Sequence, residues 1–275
     1  MPPDDPSLSS FRRLLVERRS VDLSHYSDAF LARRVAVRQH ATGQHSLESY
    51  SRFILTEPGE INLLLDALSV NVTEFFRDEV LSPRGLSGVM DFLAGRNPKR
   101  PITIWSAGCA SGPEPYTLAI LFDLRFGAAR PPRDIIVYAT DINESRLREA
   151  REGCYAARSL AAVPPAVLQS HFDPPGPDGR RRVKERIRKM VHFFRHDLAT
   201  LPPYSGLDLV LCRNVTIYFT SEAKANLVKG FHRCLSERGL MILGGSELLL
   251  EMSLFSPFDA ARKIYQKKAV GGAVQ

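Results

Sequence analysis

Residues 105–120 read WSAGCASGPEPYTLAI. The run starts apolar, passes through small residues and two glycines, and ends in the apolar spacing of a helix. A strand that becomes a helix across residues with almost no side chain leaves its backbone open to close approach. The helix N-terminus that follows offers unpaired N–H groups. Gly108 and Gly112 supply the openness. The turn is not Gly-x-Gly-x-x-Gly, and no Gly-Lys-Ser/Thr follows to make a Walker loop. Ser111-x-x-Glu114 also fits a helix capping box, with Pro115 early in the helix where its missing N–H costs little.

Short β-rich runs surround this corner: ITIWSA, DIIVYAT, MVHFFRH, LDLVLC and LMILGG, with ARKIYQKKAV as a candidate last strand. Helical stretches separate most of them, notably EPYTLAILFDLRF, ESRLREAREG and EAKANLVKGFHRCLSE. Apolar strands alternating with helices predict an α/β fold, a Rossmann-like parallel sheet covered on both faces. The first 80 residues read as helical throughout. Gly43 ends the helix of DAFLARRVAVRQHAT, and LESYSRFIL and EINLLLDALSV are two further amphipathic helices. The expected division is a helical domain over 1–80, a connector over 81–100 and the sheet domain over 101–275. The segment from 156 to 190 interrupts the alternation and reads as an insertion or small subdomain, with the insert itself at about 170–193.

The chain has 275 residues and a net charge of +7, which favours an acidic partner. The charge is local. Residues 180–189 hold seven basic side chains against Glu185 alone, and residues 11–40 hold seven arginines against three acids. No apolar run approaches the ~20 residues of a membrane span, and the polar start lacks a signal peptide's pattern. A cytoplasmic monomer without membrane insertion is expected. The four cysteines are widely spaced, and His192 and His196 lack companion ligands, so no metal site is expected.

In an open α/β sheet, ligands sit beyond the carboxyl ends of the strands. Asp141 ends DIIVYATD, where a carboxylate can accept from ribose hydroxyls. Capping of the next helix is the alternative for Asp141, although Asn143 or Ser145 could cap equally well. These residues indicate an adenosine-type ligand, with the absent dinucleotide fingerprint disfavouring NAD.

Five motifs in order carry a more specific resemblance: SVNVTEFFRDE, WSAGCASGPEPYTLAI, ATDINESRLREAREGCY, LVLCRNVTIYF and GGSE. Together they resemble the CheR-type chemotaxis receptor methyltransferases, from about residue 10 to residue 268. The resemblance implies a small all-helical N-terminal domain and an S-adenosylmethionine-dependent methyltransferase sheet carrying a small β-subdomain, where the insert stands. It implies methyl transfer to glutamates on the cytoplasmic signalling helices of chemotaxis receptors, with S-adenosylhomocysteine as the second product. By motif match, Asn71, Thr73 and Arg77 line the cofactor and transfer site. Glu114 contacts the cofactor beside Gly108, Asp141 holds its ribose, and Asp197 and Leu198 lie beside the adenine. Arg213, Asn214 and Tyr218 complete the pocket, with Arg77 and Tyr218 as the catalytic pair. Arg33, Arg34 and Arg38 form a basic helix side expected to dock the acidic substrate helix near the NVTEFFR edge.

The sequence departs from the family's pattern at three points. Gly-Glu-Glu-Pro reads Gly112-Pro113-Glu114-Pro115, Thr-Asp-Ile-Asp ends at Asn143, and Asp197 replaces an asparagine. A non-catalytic cofactor-binding regulator, or a methyltransferase for another protein or for nucleic acid, is the alternative. Against nucleic acid, CRNVTIYF stands where an Asn-Pro-Pro-Tyr-like motif would be.

Overall fold

The computed structural model describes residues 6–68, 73–127, 133–200 and 202–269. The chain forms two compact units. One comprises Met1–Val70 with Val215–Asn226, and the other Asn71–Asn214 with Leu227–Gln275.

The first unit contains helices α1 (Pro6–Arg19), α2 (Asp28–Thr42), α3 (Leu47–Thr56) and α4 (Glu60–Leu68). Leu15, Leu31, Ile54 and Leu64 are fully buried in it, and the Phe11 and Tyr50 rings meet at 5.9 Å. Gly43 closes α2 in the left-handed conformation, φ 69°, which a glycine adopts at no steric cost. One polar cluster ties three of the helices together. Glu60 is buried; Arg38 donates to it from Nε and Nη2, each at 2.8 Å, and the Tyr50 hydroxyl donates at 2.8 Å. Arg38 therefore differs from its expected docking role. Its guanidinium is committed to Glu60 inside the helical unit, because a buried carboxylate needs a charged partner.

The second unit opens with α5 (Ser87–Ala94), which lies in the stretch expected to be a connector. Its Val89, Met90 and Leu93 are part of the sheet unit's core. There follow β1 (Ile102–Ala107), α6 (Pro113–Phe126), β2 (Ile135–Asp141), α7 (Glu144–Glu152), β3 (Cys154–Tyr155), α8 (Pro165–His171), β4 (Arg181–Arg182), α9 (Glu185–Arg188), β5 (Val191–Arg195) and β6 (Leu207–Cys212). α10 (Ser221–Cys234) runs through the 226/227 boundary into β7 (Leu235–Leu243), β8 (Phe255–Asp259) and β9 (Ile264–Lys267). The main sheet has the order β5-β2-β1-β6-β7-β9-β8. β5, β2, β1, β6 and β7 are parallel, while β9 runs antiparallel to both β7 and β8. Every residue of β6 is buried, as a central parallel strand requires. β8 is an edge strand with Pro257 inside it, a residue tolerated in a sheet mainly at edges.

The insert is arranged differently from its expected limits. Its small sheet pairs β4 with β3, so one strand comes from ahead of residue 170. Val191–Phe193 instead pairs with β2 in the main sheet. Much of its basic cluster serves the insert itself. Arg180 donates to the Cys154 carbonyl, Arg181 to the Asp173 carbonyl, and Lys184 to the Gln169 and Ser170 carbonyls.

Burial by itself would push the Glu60 carboxyl up, but the bonds from Arg38 and Tyr50 outweigh it and hold the carboxyl below its ordinary value. A carboxylate lowered in this way stabilises the fold above its unfolded pKa of about 4.3, and the contribution is lost as pH falls through the depressed folded value. Arg38→Met leaves Glu60 buried and unpaired. It is expected to cost about 3 kcal/mol of stability at pH 7, read by urea unfolding, and to remove the acid-side loss specific to this pair. An Arg38→Met protein as stable as the parent at pH 7 would rule out this role.

Candidate active site

The switch point of the sheet lies between β1 and β6, whose outgoing connections run to opposite sides. After β1 the chain turns tightly: the Gly108 and Cys109 amides both donate to the Thr140 carbonyl, at 2.8 and 2.9 Å. Gly108 has φ 82° and Ala110 φ 49°, left-handed conformations that favour residues with little or no side chain at this corner. Gly112 shares the left-handed conformation, φ 97°, and a Cβ there would also lie 2.8 Å from the Tyr155 hydroxyl and 2.9 Å from Ala150 Cβ, so both backbone and packing at the start of α6 call for glycine.

Asp141, at the end of β2, links two loops. Its Oδ2 accepts from the Ala110 amide at 2.9 Å, and its Oδ1 accepts from the Asn143 amide at 2.9 Å. Asn143 is the N-cap of α7, accepting from Ser145 at 2.9 Å and Arg146 at 3.2 Å. Asp141 is thereby not the cap, and each of its oxygens retains acceptor capacity. Burial pushes its carboxyl up, partly offset by the backbone amides and Arg146. The Asp141 carbonyl accepts from the His196 amide at 3.0 Å, which fixes the start of the His196–Leu198 segment. Leu198 is buried, and Asp197 Oδ1 accepts from the Ala199 amide at 2.9 Å.

Glu114 does not close a capping box. The N-cap of α6 is Gly112, which has no side chain, and Glu114 reaches back toward the sheet. Its Oε1 accepts from Ser106 Oγ at 2.8 Å, and its Oε2 lies 3.5 Å from Arg213 Nη1. Burial pushes this carboxyl up, while Arg213 and Ser106 pull it down and the carboxylates Glu247 and Asp78 add to the rise. The Arg213 side chain is 2% exposed and also pairs with Asp78 through Nη2. Its Nε is buried and has no hydrogen-bond partner among the described residues.

The pair with Asp78 locates Arg77. Phe75 is fully buried against Tyr155 and Phe172, at 4.9 and 5.3 Å between rings. The Phe76 amide donates to Thr117 Oγ1 on α6 at 3.2 Å. Exposed Arg77 sits between that anchor and Asp78. Thr73 is half-buried at the start of the same segment, and Asn71 lies outside the described residues. Across the centre, Glu247 accepts from the Gly244 amide at 2.6 Å. A Cβ on Gly244 would fall 2.7 Å from Glu247 Oε2 and 3.0 Å from the amide nitrogen of Asn214, whose φ is 61°.

The carboxyl ends of the strands therefore present Asp141, Glu114, Arg213 and Asn214. Asp78, Ser106 and Glu247 are members of this cluster that were not singled out from sequence. Glu247 stood within GGSE and Asp78 beside Arg77, but a long-range ion pair has no local spacing to reveal it. Tyr218, Arg33, Arg34 and Arg38 belong to the helical unit. Among the described residues, no group of three His, Cys, Asp or Glu side chains is arranged to hold a metal ion, and no helix is long and apolar enough to cross a membrane.

This chemistry fits an adenosine-containing cation: an acceptor carboxylate after β2, a glycine-containing corner after β1 and further carboxylates beside it. The comparisons agree. Residues 71–264 match the CheR methyltransferase SAM-binding domain, and residues 6–69 match the CheR methyltransferase all-alpha domain. Chemotaxis protein methyltransferase 2 of Vibrio cholerae is 29% identical over 90% of this chain and 88% of its own length. Chemotaxis protein methyltransferase 1 of Pseudomonas aeruginosa is 33% identical over 87% of this chain and 89% of its own. An uncharacterised 104.1 kDa protein of Rhodobacter capsulatus is 31% identical over 92% of this chain, which spans 27% of that protein's length. A glycine-containing corner, an acceptor carboxylate at the end of β2 and these matches lead to one conclusion: the chain belongs to the CheR methyltransferase family and uses S-adenosylmethionine as its methyl donor.

Proposed function

We propose that this protein is a cytoplasmic protein-glutamate O-methyltransferase acting on the signalling helices of chemotaxis receptors. The observation that carries the reading is the set of groups at the switch point: the Glu114–Arg213–Asp78 ion pairs beside Arg77, and Asp141 at the end of the neighbouring strand β2. Asp141 would accept from the ribose hydroxyls, and Asp197 and Leu198 would flank the adenine. Glu114 would face the amino-acid end, with Asn71, Thr73 and Asn214 around it.

When bound, S-adenosylmethionine supplies a methyl group on a sulfonium, already a good leaving group. A glutamate side chain, with an ordinary pKa of about 4.3, is a carboxylate near neutral pH and needs no general base. The protein's task is to align that carboxylate and exclude water. Positioning of this kind is worth several kcal/mol, up to roughly 7–11 in ideal cases. Arg77 suits the acceptor because a guanidinium holds a carboxylate by paired hydrogen bonds. Tyr218 would border the transferred group and orient the acceptor. With Arg38 committed to Glu60, exposed Arg33 and neighbouring Arg34 remain as the cations of α2 that could meet an acidic helix.

The methyl label transferred to a receptor fragment is expected to leave as methanol in mild alkali, as glutamyl esters do. A base-stable label would mean methylation on nitrogen or carbon and would sink the proposal. Asp141→Ala is expected to weaken S-adenosylhomocysteine binding by about 1.5–3 kcal/mol in calorimetry, the scale of hydrogen bonds to a charged group. Undiminished affinity would remove Asp141 from the ribose. Arg33→Glu is expected to raise KM for receptor and reduce its dependence on salt, with kcat and cofactor affinity unchanged. Exposed charge acts mainly on encounter and is screened over about 8 Å at physiological salt. A normal KM with normal salt dependence would place the docking surface elsewhere.

A further inference from the structure

Tyr218 lies in a short 3-10 turn, Thr216–Tyr218, just after β6, yet this turn is built into the helical unit. Backbone pairing holds it there. The Ser27 amide donates to the Tyr218 carbonyl at 2.9 Å, the Thr220 amide donates to the His25 carbonyl at 2.9 Å, and Tyr26 and Phe219 form an antiparallel bridge. Buried Phe219 packs edge-on against Tyr26 at 5.4 Å and against His25 at 4.9 Å.

The Tyr218 ring itself is held by a stack. It lies on Phe30 of α2 with centroids 4.4 Å apart and planes inclined by 26°. Phe30 is 5% exposed and stacks in turn on Tyr26 at 5.5 Å. The Arg34 guanidinium lies 5.2 Å from the Phe30 ring centre, the range of a cation–π contact, and Arg34 makes no ion pair among the described residues. Among the described residues the Tyr218 hydroxyl has no hydrogen-bond partner, although the ring is held on one face and at its backbone. A tyrosine fixed through its ring and carbonyl, with its hydroxyl uncommitted, is arranged to present that hydroxyl to a ligand.

We infer that Phe30 is a positioning residue for methyl transfer. It sets the plane of Tyr218 by stacking, with Arg34 bracing Phe30. The inference rests on the role of Tyr218 in the proposed function. Phe30 acts through Tyr218, and its removal should change the rate of transfer while leaving the cofactor cleft intact.

The test is a kinetic cycle on the full chain with a soluble receptor signalling-helix fragment and labelled S-adenosylmethionine. Phe30→Leu keeps apolar bulk but loses the ring face, and Phe30→Tyr keeps the ring. Phe30→Leu is expected to lower kcat by about tenfold, with KM for the fragment and S-adenosylhomocysteine affinity each within about twofold, as for a group acting mainly in the transition state. Phe30→Tyr should retain most of the turnover. In a Tyr218→Ala background, itself slow, Phe30→Leu should have no further effect, because residues acting as one unit are not additive. Equal losses from Phe30→Leu in both backgrounds would mean a merely structural role and would overturn the inference. So would normal kcat in Phe30→Leu, or equal impairment in Phe30→Tyr. Normal kcat in Tyr218→Ala would overturn the catalytic role of Tyr218 together with the inference. If Phe30→Leu does not fold, Phe30→Met takes its place in the same cycle with the same expected outcomes.

Discussion

A guanidinium taken out of water must be surrounded by carboxylates, and Arg213 meets this requirement at the end of β6. Its side chain is 2% exposed and pairs with Asp78 and Glu114. The two partners both lie far ahead of it in the chain, on two different segments. Asp78 draws in the segment after Phe75, and Glu114 turns the first turn of α6 back toward the sheet. Loss of this charge would leave two carboxylates facing one another beside Glu247. The segment carrying Arg77 and the start of α6 are therefore tied to the end of β6 by one shared charge. The cluster also explains why Glu114 serves the sheet side of α6 and not the cap.

The fold was largely legible because parallel strands buried on both faces carry their signal in consecutive apolar residues. ITIWSA, DIIVYAT and LDLVLC all lie in the central sheet. β8 was missed for the converse reason. It is an edge strand holding Pro257 and exposed positions, and it has neither a continuous apolar run nor clean alternation. The insert's limits were misplaced because its strands are two residues each, too short to show a period.

At the site, residues set by local geometry were legible and residues set by long-range charge were not. Asp141 and Gly108 stand at strand ends where spacing identifies them. Asp78 enters only through an ion pair with a residue 135 positions away. The same blindness misled the reading of α2. Arg38 is four residues from Arg34 and looks like the same basic side, but buried Glu60 on α4 claims it. Gly112 was legible as a glycine position but for the wrong neighbour, since Tyr155 and Ala150, not a ligand, occupy the space beside it.

The proposed cofactor position is at the carboxyl ends of β1, β2 and β6, with the ribose on Asp141. A crystal structure of this protein with S-adenosylhomocysteine tests that most directly. Both ribose hydroxyls are expected within hydrogen-bond distance of the Asp141 carboxylate, the adenine beside Leu198 and the amino-acid end at Glu114. A ligand bound with its ribose away from Asp141, or at the opposite end of the strands, would contradict it.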